Sequence, residues 1–87
     1  MMPAAQFVPL DLTRTQRRIW NVLHGRFGEF VAPVEIKRGM GNADAISDTL
    51  LRAHLHALRR QLDSAPVCID FVRGRGYALR PIGEGHP

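Results

Sequence analysis

Five arginines carry the most legible chemistry in this sequence. Arg52, Arg59 and Arg60 lie in "LLRAHLHALRRQL", and Arg73 and Arg75 alternate with two glycines in "VRGRGYAL". A guanidinium is a permanently charged planar fork; it meets phosphate oxygens, or the O6 and N7 edge of guanine, through paired N–H donors. Grouped on two neighbouring elements, such forks suit a polyanion. The other reactive side chains show no comparable arrangement. His54 and His56 are two residues apart and point to different sides of a helix, so they cannot share a metal as an i, i+4 pair could. Asp48, Asp63 and Asp70 form no pair with acid–base spacing. No nucleophile triad, phosphate-binding loop or dinucleotide fingerprint occurs. Cys68 is the single cysteine, read as a small buried hydrophobe, which excludes an intramolecular disulfide and a multi-cysteine zinc site. Catalysis, a metal and a cofactor are therefore not expected.

The overall charge agrees with this reading. Twelve Lys and Arg against eight Asp and Glu give +4, the balance expected of a domain that meets an acidic partner. Eighty-seven residues with 45% apolar content suffice for one domain with its own core. The N-terminal "MMPAAQFVPL" lacks a basic segment followed by a long apolar one, and no apolar run approaches membrane-spanning length. Neither export nor membrane insertion is expected, and a reducing cytoplasm is the natural compartment for a chain with one thiol.

The elements that must hold the arginines follow from periodicity and caps. After a short extended stretch, "FVPLDL", Thr13 and Gln16 form a capping-box pair that opens a first helix over about residues 14–24, with Ile19, Trp20, Val22 and Leu23 at helical spacing. "APVEIKRGMG" then gives a short second helix. Pro33 stands in its first turn, Glu35 near its positive end and Arg38 near its negative end, and Gly39 and Gly41 terminate it. Ser47 or Asp44 caps a third and longest helix running to residue 62. "VCIDFV" and "YALRP" are β-rich runs joined by "RGRG", a hairpin. The predicted order is strand, helix, helix, helix, hairpin over residues 7–82, with residues 1–6 and 83–87 as flexible ends.

At about 100° per residue, Leu51, Leu55, Leu58 and Leu62 fall on one stripe of the third helix. Thr49, Ala53, His56 and Arg60 lie opposite, flanked by Arg52 and Arg59. Glycines at 74 and 76 permit a tight reversal that leaves Arg73 and Arg75 projecting. Tyr77 is read as core, His54 as lying at the core margin, and His24 and His86 as exposed.

Four stretches resemble one family, the winged-helix effector domains of OmpR/PhoB-type bacterial response regulators. "LDLTRTQRRIWNVL" resembles the strand entering the first helix, and "GEFVAPVEI" the glycine turn before the second. "LLRAHLHALRRQL" resembles the recognition helix, and "IDFVRGRGYAL", with Val-Arg-Gly-x-Gly-Tyr, resembles the wing. The likeness spans residues 11–80. It implies an α+β winged helix-turn-helix with a three-helix core, one short N-terminal strand and a C-terminal hairpin wing.

The resemblance also implies function: double-stranded DNA bound by a bacterial or phage transcription regulator near the nucleoid, here without a receiver domain. Ala53 matches a small base-contacting position, Arg59 a phosphate contact and Arg73 a minor-groove contact. Thr49, His56, Arg52, Arg60 and Arg75 complete the expected DNA-binding set. Departures accompany the matches. Arg17 stands where a core Phe is common, Lys37 where an apolar residue is common, Ala32 where Ser or Thr caps the second helix, and Ala57 where an arginine reads bases. Ala57, the shortened N-terminal sheet and the missing receiver domain motivate an alternative in which the domain docks on RNA polymerase or a response regulator. A lone module of this size would reach only a short half-site, so a homodimer or tandem copies on DNA are expected.

Overall fold

A computed structural model describes residues 4–41 and 46–82. Three helices, α1 (Arg14–Gly25), α2 (Pro33–Gly39) and α3 (Asp48–Gln61), precede an antiparallel hairpin of β1 (Val67–Val72) and β2 (Gly76–Pro81). This is the expected α+β winged-helix arrangement.

Local chemistry sets the helix ends. The Thr13 hydroxyl accepts from the Gln16 N–H at 3.2 Å while Gln16 Oε1 accepts from the Thr13 N–H at 3.0 Å, so the capping box is complete in both directions. Ser47 caps α3 by accepting from the Leu50 N–H at 3.1 Å; the alternative cap, Asp44, lies outside the described residues. Ala32 gives α2 no side-chain cap, and Pro33 at its first position removes one of the N–H groups that would need one. Gly39 has a use beyond ending the helix. A Cβ there would approach Val22 Cγ2 to 2.8 Å, so the missing side chain lets α2 lie close against α1.

Ile19, Leu23, Ile36, Leu51, Leu55, Leu58, Val67 and Leu79 are at most 1% exposed and form the centre of the core, and Trp20 and Tyr77 close its edges. The leucine stripe of α3 is buried along its whole length, Leu62 included. Burial of this kind, at about 25 cal/mol per Å2 of apolar surface, is the main term that holds α3 in place and turns its opposite face outward.

The predicted N-terminal strand is not formed among the described residues. The sheet has two strands only, and residues 7–13 make no ladder. Pro9 lacks an N–H and so cannot donate to a ladder. The segment packs through side chains instead: Phe7 meets Trp20 edge-on at 6.2 Å, and a 3-10 turn, Ala4–Gln6, precedes it. A different residue extends the sheet. Val31 forms an isolated antiparallel bridge with Tyr77, its N–H donating to the Tyr77 carbonyl at 2.7 Å and its carbonyl accepting from Tyr77 at 3.0 Å.

Two other expectations are corrected. His24 is half-buried: its ring stacks on Trp20 at 5.5 Å and 18°, and Nε2 lies 2.6 Å from the Ala5 carbonyl oxygen. Helical spacing within α1 carries no information about the N-terminal turn, and only the fold brings that turn over the ring. Cys68 is half-buried as well, because it lies on the face of β1 turned away from the core. His86 lies outside the described residues.

Candidate nucleic-acid interface

The turn between β1 and β2 is closed by the Arg75 N–H donating to the Val72 carbonyl at 2.9 Å. Gly74 (φ +84°) and Gly76 (φ +112°) adopt left-handed backbone conformations that other residues rarely enter. Gly76 also touches the body of the domain. A Cβ on it would collide with the Val31 carbonyl, so the bridge to Val31 and the shape of the wing depend on the same missing atom.

Between α3 and this wing opens a cleft of about 670 Å3. α3 contributes Arg52, His56 and Arg59; the wing contributes Phe71, Arg73, Arg75 and Tyr77; Ala32 and Pro33 at the start of α2 close one end. The fold thus gathers five of the sequence-predicted residues around one concavity. The other three, Thr49, Ala53 and Arg60, are exposed on the outer face of α3 and do not line it. His54 is half-buried and also stays outside it.

The electrostatics favour an anion. None of the four cleft arginines forms a salt bridge among the described residues, because the neighbouring acids are engaged elsewhere. Glu35 and Glu29 hold Arg26, at 2.6 and 3.4 Å, and raise its pKa above the ordinary arginine value, the Glu35 hydrogen bond foremost. Asp70 faces Arg80 at 3.5 Å. The one carboxylate lining the cleft among the described residues, Asp48, is 2.5 Å from Lys37 Nζ. That hydrogen bond, followed by the Lys37 charge, holds the Asp48 carboxyl below its ordinary range, and the Arg52 charge adds a smaller downward push. Lys37, foreign to an apolar position, is thereby accommodated with 17% of its side chain exposed. Arg14, Arg17 and Arg18 form a separate exposed basic face on α1, opposite its buried Ile19 and Leu23, and none lines the cleft.

Two aromatic residues, one lining the cleft and one beneath a cleft arginine, were not legible in the sequence. Phe71 follows Val67 and Ile69 on the core-facing side of β1, yet it is 47% exposed and lines the cleft. Phe30 lies beneath the Arg75 guanidinium, 4.7 Å from ring centre to Cζ. Alternation could have flagged Phe71 only as core, and no local pattern connects residues 30 and 75.

The sequence matches the family described as "Transcriptional regulatory protein, C terminal" over residues 8–79. The chain belongs to that family. It is a transcriptional-regulator C-terminal domain of OmpR/PhoB type, a family of DNA-binding domains and not of enzymes. No curated protein matches the sequence. The matched span takes in all three helices and the hairpin up to Leu79, so both walls of the cleft belong to the family domain. Among the described residues of this transcriptional-regulator domain, no group of three or more His, Cys, Asp or Glu could hold a metal ion, and no helix is long and apolar enough to cross a membrane.

Proposed function

We propose that the domain regulates transcription by binding duplex DNA with α3 in the major groove and the wing in the adjacent minor groove. The observation that carries this is the cleft itself: arginines from α3 and from the wing line one concavity, and Asp48, its only carboxylate among the described residues, is paired with Lys37. Thr49, Ala53 and His56 on the exposed face of α3 would meet base edges, the small Ala53 suiting a thymine methyl. Arg52, Arg59 and Arg60 would hold phosphates and set the register without reading sequence. Arg73 and Arg75 would enter a narrowed A·T minor groove, whose negative potential attracts guanidinium groups. Two copies, as a dimer or in tandem, would supply the site length that one module lacks.

Titration of fluorescent duplexes over a series of salt concentrations tests the proposal. The logarithm of the association constant should fall linearly with the logarithm of salt, by about 0.9 for each phosphate neutralised. An Arg73→Ala/Arg75→Ala variant should bind more weakly with a shallower slope. Equal binding by that variant, or no binding at low salt, would refute the groove-and-wing arrangement.

A further inference from the structure

If α3 and the wing occupy neighbouring grooves, the sugar–phosphate ridge separating those grooves must lie between them. The cleft is the space available to it. Arg52 and Arg59, on its α3 side, can donate to the phosphates of such a ridge, and Arg73 and Arg75 flank it from the wing. Phe71 cannot donate, although it lines the same cleft.

Core packing does not account for where Phe71 stands. Val67 and Ile69, on the same side of β1, are 0% and 3% exposed and complete the core there. Phe71, next on that side, is not part of the core cluster. One side of its ring rests against Tyr77, its register partner on β2, at 4.8 Å and 43°, while almost half of its surface stays open. A phenyl ring held in this way leaves apolar area in water that any apolar surface in the cleft would cover favourably. On a nucleic-acid backbone that surface is the sugar, whose C–H edges alternate with the phosphates.

We propose that Phe71 is a DNA-contacting residue, packing its free side against deoxyribose of the strand clamped between α3 and the wing. This rests on the duplex-binding reading above and adds to it an affinity component of different origin. The arginine contacts release counterions and weaken with salt. The Phe71 contact is apolar, carries no charge and leaves the salt slope alone. Tyr77 acts behind it as a positioning residue.

Affinities of the unaltered chain, Phe71→Ser and Phe71→Leu for a short mixed-sequence duplex, each measured over a salt series, test this. The serine variant should bind about tenfold more weakly at every salt concentration with the slope unchanged, as expected for losing a few tens of Å2 of apolar contact. The leucine variant should keep most of the affinity. Unchanged affinity in the serine variant overturns the proposal. So does a slope altered by about one phosphate, which would mean that the ring only positions an arginine. Nuclear Overhauser contacts between the Phe71 ring and deoxyribose protons, sought on the unaltered chain in a saturated complex, give the same test without substitution, and their absence also overturns it. If the unaltered chain binds no duplex at all, the underlying reading fails, and this proposal with it.

Discussion

The Arg75 guanidinium sits 4.7 Å above the centre of the Phe30 ring, tying the tip of the wing to the segment that enters α2. Because Val31 also bridges to Tyr77, the wing is fastened to the body on consecutive residues, once through a ring and once through the backbone. Arg73, on the other side of Gly74, has no such tether among the described contacts. A cation–π pair at an exposed site is worth about 0.5–1 kcal/mol. Phe30→Ala should therefore lower duplex affinity by about threefold without altering its salt slope, since Arg75 keeps its charge. Arg73→Ala should flatten that slope by about 0.9. Salt-series titrations of the two variants distinguish the tether from the contact.

The Lys37–Asp48 pair joins α2 to the first turn of α3. Asp48 has a folded-state pKa below its unfolded value, so its stabilising contribution is complete above the unfolded pKa and is lost as pH falls through the folded one. Melting temperatures of the unaltered chain and Asp48→Asn should therefore differ at neutral pH and converge in acid. The same substitution removes the only carboxylate that lines the cleft among the described residues. Its duplex affinity should rise, about twofold at low salt, although the fold is slightly less stable. Loss of affinity would place Asp48 among the contacts.

The two wing glycines should not be equivalent. Gly74→Ala meets open space and only the strain of a left-handed conformation, about 1–2 kcal/mol. Gly76→Ala meets the Val31 carbonyl as well and should cost about 3 kcal/mol or more. Denaturant unfolding of both variants would show the order, and equal losses would mean that the Val31–Tyr77 bridge yields easily.

Thr13 does not line the cleft, and its capping box serves α1. Thr13→Ala should lower the unfolding free energy by about 1 kcal/mol. Duplex affinity at a temperature where both forms remain folded should be unchanged. A change in affinity would show that α1 couples to the cleft.

Much of this domain was legible along the chain because the deciding contacts are short-range. Thr13 and Gln16, Ser47 and Leu50, and the leucines of α3 interact within a turn or repeat on one stripe, so residue type and spacing settle where helices start and which side they bury. Outward placement of Thr49, Arg52, Ala53, His56, Arg59 and Arg60 follows from that stripe. The hairpin is similar: a turn of two arginines and two glycines between β-rich runs closes on itself, with Val72 opposite Gly76.

Residue type and spacing therefore specify three helices, a hairpin and a set of arginines facing outward, together with the family to which they belong. What lies between the arginines is set by contacts between residues far apart in the chain. "FVPLDL" reads as a strand but finds no partner, whereas Val31, which reads as a loop residue, pairs with Tyr77. His24 is covered by a turn nineteen residues upstream, and Arg75 is caught by Phe30. Phe71 alternates correctly for the core yet extends past its edge into the cleft. Each outcome depends on residues distant in the chain and on where neighbouring elements end, which local periodicity does not encode.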